Sequence, residues 1–335
     1  MFRTDEKQDC GFENFTPELF LDAVEEALET RLTGYAAALP SYINRVYELE
    51  AVSGERVIAK FYRPGRWTPE AILDEHDFLW DCADRDIPVV PPYELSHSST
   101  LGFAGNIPFA VFPKKRGREA EFESEESFRR VGTLLGQIHA CGSLRRARHR
   151  MDLTPDCFAC PAMERIFRDG LVHPSCESAL MNVCDRILDI ADELFRDPGD
   201  PPIRIHGDFH RANVLNRLDE GLLAIDFDDM LNGPPVQDFW LLLPGSCRDS
   251  GPELDALLNG YRLFMDFNES SLKLIEPLRA MRMMHYLSWC AAQSADRRFR
   301  ELYPDWGSES FWRSELADFR VQLRRIEESL EQFPF

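Results

Sequence analysis

A short polar stretch of the 335-residue chain, HGDFHRAN from His206 to Asn213, contains residue types that phosphoryl transfer requires. That reaction needs a carboxylate that orients the attacking hydroxyl and accepts its proton, and oxygen ligands for a magnesium ion on the phosphates. Asn213 lies five positions after Asp208, and Asp226 lies eighteen positions after it, behind the apolar run LLAI. We therefore predict Asp208 and Asp226 as catalytic residues, with Asn213 and Asp226 as ligands of Mg²⁺.

The acidic residues that follow this stretch crowd together. Asp226, Asp228 and Asp229 lie within four positions, and unpaired carboxylates at that spacing repel one another unless a cation is bound. Asp228 could shield the metal or bind a second one, but neither role is predicted for it from the sequence. Because His206 and His210 have no third soft ligand nearby, hydrogen bonds that brace the loop explain them better than a metal site. The alternative for the whole stretch is a polar hairpin loop with solvated acids, which the crowding disfavours.

A lysine and a glutamate are predicted to form an ion pair next to the phosphates. Lys60 ends the β-rich run VIAK, and such a lysine either contacts the α- and β-phosphates or extends from an edge strand into water. The following helix favours the first role. Glu75 shares the apolar face of Ile72 and Leu79, and a carboxylate on a buried face needs a partner.

Together, the strings HGDFHRAN and IDFDD resemble the signature of the aminoglycoside phosphotransferase and choline kinase group, within the protein-kinase-like fold. The likeness covers nearly the whole chain, including SYINRVY from Ser41, KFYRP from Lys60 together with Arg66-Trp67, and IEPLRAMR from Ile275. It is closest to a bacterial branch that phosphorylates Ser or Thr on proteins, itself included, and acts in stress survival. The resemblance implies an α+β, two-lobed fold with ATP in the cleft between the lobes and Mg²⁺ as cofactor.

The loop that would cover the phosphates departs from the protein-kinase pattern, because Pro40–Arg45 contains no glycine. The resemblance places Ser41 at the ATP, where its hydroxyl and the loop N–H groups could hold phosphate oxygens. Arg45 either adds charge there or lies on the surface. The adenine is expected at the connector between the lobes, next to Phe109–Pro113. The missing glycines leave the choice between ATP and GTP open.

Residue patterns along the chain divide it into a β-rich and a helical part. Thr16-Pro17 and Thr68-Pro69 are helix-start signals, and β-rich runs between residues 44 and 62 and between 103 and 113 predict two hairpins. Helical patterns follow at 128–140, 176–195, 254–267, 271–292 and 311–331. We predict an N-terminal nucleotide-binding lobe over 1–113, with a small antiparallel sheet. The larger, mainly helical C-terminal lobe over 114–335 would bind the acceptor and carry the catalytic loop.

Composition limits the possible partners and the location. Apolar residues make up 44% of the chain and the net charge is -20, which argues against binding to nucleic acid or to an anionic membrane. The N-terminus has no apolar signal segment, and no stretch approaches the ~18 apolar residues of a membrane span. Nine cysteines without regular spacing are typical of reduced thiols. We expect a cytoplasmic monomer.

Several other features are interpreted as structural. In the kinase-like fold an acid at the position of Asp238 braces the catalytic loop. The basic run Arg145–Arg150 is either a solvated loop or a recruitment site for an acidic partner, and the acidic composition favours the loop. Four aromatic residues are assigned mainly to the core, although some could line the acceptor cleft: Tyr286, Trp289, Trp306 and Trp312.

The sequence is compatible with three functions. The first is a Ser/Thr protein kinase, with a protein substrate that could be the chain itself. The second is a small-molecule kinase acting on an amino alcohol, amino acid or sugar, for which an aromatic and acidic cage would be expected. The catalytic residues serve both, because γ-phosphoryl transfer does not depend on what carries the hydroxyl. The third is a pseudokinase that binds a partner, which the intact catalytic set disfavours.

Overall fold

The computed structural model describes residues 11–12, 15–247, 249–294 and 296–332. Its N-terminal part is a five-stranded antiparallel sheet with the order β1-β2-β3-β5-β4. The strands are β1 (Leu32–Leu39), β2 (Arg45–Ala51), β3 (Arg56–Phe61), β4 (Gly102–Ala104) and β5 (Ile107–Pro113). Two helices accompany it, α1 (Pro17–Leu28) and α2 (Pro69–Ala83). The two predicted hairpins are therefore confirmed.

Both predicted helix starts carry the expected caps. The side-chain oxygen of Thr16 accepts a hydrogen bond from the Leu19 N–H, and that of Thr68 accepts one from the Ala71 N–H. Each threonine precedes a proline at the first helical position, where the missing N–H costs nothing. Strand β1 was not predicted, because this alanine-rich edge strand is mostly exposed and shows no alternation of apolar and polar residues.

The C-terminal part is mainly helical, as predicted. Its helices are α3 (Glu125–Gly142), α4 (Cys160–Arg168), α5 (Pro174–Phe195), α6 (Val236–Trp240), α7 (Gly251–Tyr261), α8 (Ile275–Gln293), α9 (Arg297–Leu302) and α10 (Glu309–Gln332). Short strands complete it: β6 (Arg118–Glu119), β7 (Ile203–Ile205), β8 (Val214–Arg217), β9 (Gly221–Ala224) and β10 (Leu231–Gly233). Strand β6 pairs with β8, and β8 with β9, so the catalytic stretch lies between short antiparallel ladders.

One predicted helix ends early. The pattern predicted a helix from 254 to 267, but α7 ends at Tyr261. Phe267 is nevertheless buried and packs against Phe239 with ring centroids 4.6 Å apart. Phe267 reaches the core from a turn, and its position continues the spacing of apolar residues in α7. The spacing therefore predicted a longer helix than the structure has.

Helices α3 and α7 approach closely because glycines face the partner backbone. A Cβ atom on Gly132 would lie 2.0 Å from the carbonyl oxygen of Leu257, and one on Gly260 would lie 1.9 Å from that of Arg129. No side chain fits at either position without separating the helices. This contact anchors α3, which also packs on α2 and on β7.

The helix α2 joins the two parts of the molecule. Its Phe78 and Leu79 belong to the large core of the helical part, and Phe78 meets Phe227 edge-on at 5.5 Å. A separate core lies between α1 and the sheet, around Phe20, Val24 and Phe61. Strand β5 ends at Pro113, which agrees with the boundary that we propose between lobes 1–113 and 114–335.

Membrane-spanning helices and disulfide bonds are both absent from the part of the chain that the structure describes. None of its helices combines the length and the apolar character that crossing a bilayer requires. None of its cysteines is joined in a disulfide, and those at positions 82, 141, 176, 184 and 290 are buried.

Acid is expected to destabilise the fold through His76 on α2. Its Nδ1 lies 2.7 Å from Thr100 Oγ1 and its Nε2 lies 3.1 Å from Tyr62 Oη. Burial, reinforced by the charges of Lys60 and Arg150, lowers the pKa of His76 from 6.5 to about 3. Between these values the unfolded chain binds the extra proton, so the free energy of unfolding falls as the pH drops through this window. From pH 7 to pH 5 we expect a loss of about 2 kcal/mol from this residue.

Urea unfolding at pH 7 and pH 5 measures this loss. The variant His76→Gln, which has no titrating group here, should lose about 2 kcal/mol less than the unmodified protein over the same interval. Equal losses in the two proteins would show that His76 is not the residue responsible.

Candidate active site

A cleft of about 630 Å³ lies between the sheet and the helical part, within the size range of small-molecule sites. The residues predicted for nucleotide and catalysis share its walls: Ser41, Lys60, Glu75, Asp208 and Asp226. The expected adenine end is also there, because Phe112 and Pro113 at the end of β5 line the cleft. Ser41 lies in the turn that joins β1 to β2, so the loop without glycine overhangs the cleft from a strand that the sequence pattern did not predict.

Lys60 is the cationic centre of the cleft. Its Nζ lies 3.5 Å from Glu75 Oε1, 3.0 Å from Asp226 Oδ1 and 3.3 Å from Asp228 Oδ1, so the predicted pair with Glu75 is confirmed. Burial opposes the charge of Lys60, but the three carboxylates outweigh it and raise the pKa well above its usual value. The ammonium group is therefore retained in a site where phosphate oxygens could replace the carboxylates as its partners.

Glu75 is held between two cations. Its side chain is 1% exposed, and Oε2 lies 3.2 Å from Nη2 of Arg150, while Oε1 faces Lys60. Burial raises the pKa of Glu75, while Lys60 and Arg150 act in the opposite direction. Because both oxygens of Glu75 face a cation, this residue of α2 holds Lys60 in position. Arg150, which belongs to the helical part, holds Glu75 in turn.

Asp238 holds the loop that carries Asp208 in place through hydrogen bonds to the backbone of the loop. The carboxylate of Asp238 accepts hydrogen bonds from the backbone N–H groups of His206 and Gly207, at 2.8 and 2.9 Å, and contacts Nε2 of His139 at 3.0 Å. Gly207 has a φ of 82°, and a Cβ there would lie 2.2 Å from the carbonyl oxygen of Asp229. The expected bracing role of Asp238 is confirmed, and only glycine fits the turn.

Two basic side chains contact the carboxylate of Asp208. Nη2 of Arg282 donates to Oδ1 at 2.6 Å, and Nε2 of His210 lies 3.3 Å from Oδ2. Burial would raise the pKa of Asp208, but the hydrogen bond from His210 and the charge of Arg282 outweigh it and hold the pKa well below its usual value. Asp208 is therefore ionised and can accept a hydrogen bond from an acceptor hydroxyl.

Asn213 connects the catalytic loop to the strand that precedes Asp226. Its Nδ2 donates to the carbonyl oxygen of Asp208 at 2.9 Å, and its own carbonyl oxygen accepts from the Ile225 N–H at 3.0 Å. Asn213 lies behind Asp208 and is not part of the cleft wall itself. Within the described residues, no hydrogen bond to its side-chain Oδ1 is found, so this oxygen is available to a cation.

Asp226 ends the apolar strand in a strained conformation. Its φ is 61°, in the left-handed region, and its side chain is 55% exposed to the cleft. Non-glycine residues in this region persist where the surrounding structure holds them, and they cluster at functional sites. Here the conformation turns the carboxylate towards Lys60 and the open volume.

These residues fit a magnesium ion that shares its ligands with a nucleotide. In the part of the chain that the structure describes, no three His, Cys, Asp or Glu side chains form a metal cage. Magnesium needs none, since it usually takes one or two protein ligands together with phosphate oxygens and water. The free oxygen of Asn213 and the exposed carboxylate of Asp226 match that requirement.

Asp228 already has cationic partners in the protein. Its side chain is 7% exposed, and Nη1 of Arg66 lies 2.6 Å from Oδ2, while Nζ of Lys60 lies 3.3 Å from Oδ1. Asn44 also donates to Oδ2 at 3.3 Å. Burial would raise the pKa of Asp228, but Lys60 and Arg66 lower it to about 2. Arg66 bonds Asp229 as well, so protein cations relieve the crowding that the sequence suggested.

The sequence interpretation missed Arg150. The run Arg145–Arg150 was interpreted as solvated, and Arg145 and Arg146 are indeed about half exposed. Arg150, in contrast, is buried: it stacks on Trp67 and donates to the carbonyl oxygens of Ala71 and Asp228 as well as to Glu75. The solvated interpretation is wrong for this residue, because the loop turns its last side chain inward.

Other site residues were also missed or misplaced. Asn44, Arg66 and Arg282 carry no local signal that distinguishes them from surface residues, although the strings that carry the family resemblance contain all three. Of the aromatic residues assigned to the core, Trp312 is fully buried, whereas Tyr286 is 46% exposed and Trp289 lines the cleft.

The paired Lys60 and Glu75, the braced Asp208 loop and the strained Asp226 meet at one cleft of a kinase-like fold. The model of the phosphotransferase enzyme family matches residues 36–275, and the chain belongs to this family. It is 32% identical over 318 residues to stress response kinase A of Escherichia coli (strain K12), with 95% of each chain covered.

Two further comparisons extend the relationship. The serine/threonine protein kinase RdoA of Salmonella typhimurium (strain LT2) is 32% identical over 321 residues, again with 95% of each chain covered. Among solved structures, the amicoumacin kinase hAmiN in complex with AMP-PNP, Ca²⁺ and Ami has the same fold, with a TM-score of 0.70 at 17% identity over 91% of this chain and 92% of that one.

Proposed function

We propose that the chain is an ATP- and Mg²⁺-dependent serine/threonine protein kinase of the stress response kinase A type, active in bacterial stress survival. The observation that supports this most is the convergence of Lys60, Asp208 and Asp226 on one cleft, with Asn213 hydrogen-bonded to the backbone of Asp208. The protein acceptor is proposed from the relatives that share 32% of the sequence over 95% of the chain and are named as kinases of this type. Cytoplasmic location and a monomeric state stay predictions.

In the proposed reaction, the acceptor hydroxyl donates a hydrogen bond to Asp208. Its oxygen forms a bond to the γ-phosphorus, the bond from that phosphorus to the β,γ-bridging oxygen breaks, and ADP leaves with the electron pair. The hydroxyl proton passes to the carboxylate of Asp208. Lys60 neutralises phosphate charge, and Mg²⁺ held by Asn213 and Asp226 would supply further neutralisation of the phosphates. Ser41 would contact the phosphates from the β1–β2 turn.

A small-molecule kinase is the second candidate, and one observation favours it. Trp289 lines the cleft, stacks on Tyr286 with centroids 5.6 Å apart and meets Tyr42 edge-on at 5.3 Å. An aromatic wall of this kind could bind the ammonium group of an amino alcohol.

Transfer of labelled γ-phosphate from Mg-ATP separates the candidates. The purified protein is incubated alone, with a generic protein acceptor, and with a panel of amino alcohols, amino acids and sugars. We expect label on Ser or Thr of protein. ATP consumption that rises only with a small molecule would replace the protein-kinase proposal with the second candidate. If no acceptor is labelled, neither transferase function holds.

A further inference from the structure

The helix α8 presents an arginine to the catalytic carboxylate from the side where the acceptor must bind. Arg282 lies on α8, and its Nη2 is 2.6 Å from Asp208 Oδ1. One and two turns further along, His285 and Trp289 follow on the same helix, and Trp289 reaches the β1–β2 turn through Tyr42. This face of α8 therefore runs from the catalytic carboxylate to the loop that overhangs the nucleotide cleft.

Arg282 keeps unused hydrogen-bond donors. Its side chain is 41% exposed, and within the described residues its contact with Asp208 uses only Nη2, which leaves Nε and Nη1 without a protein partner. Arg66, in contrast, is 19% exposed and bonds both Asp228 and Asp229. The planar guanidinium group carries five donors in a fork that matches the geometry of a carboxylate.

The position of the acceptor follows from the chemistry of Asp208. A hydroxyl that donates to its carboxylate lies about 2.8 Å from the accepting oxygen. Because Nη2 of Arg282 is 2.6 Å from Oδ1, a hydroxyl on that oxygen lies at most about 5.4 Å from this nitrogen. A group of the acceptor that lies a few ångströms from this hydroxyl, such as a neighbouring side chain folded towards Arg282, can then meet the remaining donors.

A second arginine and a neutral histidine lie near Arg282. Arg66 lies nearby, and His285, stacked on Phe158 at 4.2 Å, is kept neutral because burial and the charges of Arg66 and Arg282 lower its pKa to about 4. Asp208 accepts a hydrogen bond from Arg282, and the other acids of the site, Asp226, Asp228 and Asp229, have Lys60 and Arg66 as cationic partners.

We propose that Arg282 selects acceptors whose reacting hydroxyl is flanked by a carboxylate, so that on a protein the enzyme prefers Ser or Thr next to Asp or Glu. This proposal rests on the proposed phosphotransfer, since it takes Asp208 as the residue that receives the hydroxyl. An acceptor with an ammonium group next to its hydroxyl would instead be repelled by Arg282. The residue would thus act on specificity through direct contact with the acceptor.

The test compares two short peptides, one with a serine between two glutamates and one with the serine between two glutamines. We expect the unmodified enzyme to phosphorylate the glutamate peptide with about tenfold higher kcat/KM, which corresponds to about 1.4 kcal/mol. In Arg282→Gln the ratio between the peptides should fall to about one, whatever happens to the absolute rate. Arg282→Lys, which keeps the charge but loses the fork, should retain part of the preference.

Arg262→Gln is the matched control. Arg262 is also 41% exposed and bonds a single carboxylate, that of Glu269, at 2.5 Å, but it lies at the end of α7. Its replacement should leave the peptide ratio unchanged. Unfolding curves establish whether each variant is folded before its ratio is interpreted. A purely structural role of Arg282 would lower the rates with both peptides equally, and that result would overturn the proposal.

A binding measurement keeps the inference separate from the proposed function. The same peptides with alanine in place of serine are labelled with a fluorophore, and their binding is followed by anisotropy. If no peptide is phosphorylated but the glutamate peptide binds more tightly and loses this advantage in Arg282→Gln, the anion site stands and the kinase proposal fails. If peptides are phosphorylated without preference for glutamate, the kinase proposal stands and the inference fails. N-acetylserine and its amide are also compared as acceptors. If the enzyme prefers N-acetylserine to its amide but shows no preference between the two peptides, Arg282 recognises the carboxylate of a small-molecule acceptor.

Discussion

Asp208→Ala is expected to lower the rate of γ-phosphate transfer by about 10³-fold. The carboxylate is the group that would orient the acceptor hydroxyl and take its proton, and its neighbours Arg282 and His210 carry no carboxylate to replace it. Because the carboxylate of Asp238 still holds the backbone N–H groups of His206 and Gly207 in this loop, the fold and nucleotide binding should survive the loss of the side-chain contacts of Asp208. Transfer of labelled phosphate and thermal unfolding of the same preparation measure the two effects.

Asp208→Asn and Asp219→Asn form a matched pair of variants. Both replace a carboxylate by an amide of the same shape between β7 and β9, but Asp219 lies exposed in the β8–β9 turn. Its positive φ of 63° is tolerated by Asn. We expect activity to be lost only in Asp208→Asn. Normal turnover in a well-folded Asp208→Ala protein would contradict the assignment of the catalytic carboxylate.

Arg150→Met is expected to cost about 3 to 5 kcal/mol of folding free energy. Arg150 is fully buried and donates to Ala71 and Glu75 of α2 and to the carbonyl oxygen of Asp228. Without it, the Glu75 carboxylate keeps Lys60 but loses its second cation, and two buried carbonyl oxygens lose a donor. Since the same bonds connect α2 to the turn after Asp226, phosphate transfer should fall together with stability.

Urea unfolding and phosphate-transfer assays measure both effects in Arg150→Met, and Arg145→Met is the control variant. Arg145 lies in the same segment, is 49% exposed and pairs with Asp77 and Asp81, so its loss should cost less than about 1 kcal/mol. Similar losses for the two variants would show that the contacts of Arg150 do not connect the two lobes as the structure indicates.

The sequence by itself determined which residues of this protein we propose as the catalytic core. Asp208, Asn213 and Asp226 lie within nineteen residues of one another, so the loop and the short strands that follow bring them together wherever the rest of the chain goes. The Lys60–Glu75 pair was also readable, because a carboxylate on the apolar face of a helix requires a nearby cation. Helix caps at Thr16 and Thr68 fixed the helix starts for the same reason, since their hydrogen bonds join residues only three positions apart.

Only the tertiary structure decided which distant cations complete the site. Arg150 contacts Asp228 across 78 positions, and Arg282 contacts Asp208 across 74. An arginine is buried against a carboxylate or exposed to water according to how the helices pack around it. The sequence of an isolated segment does not reveal this packing. For this reason the basic run was interpreted as a solvated loop, and α8 was predicted only as a helix. The proposed catalytic residues are encoded locally, whereas the charge balance and the proposed acceptor specificity arise from long-range packing.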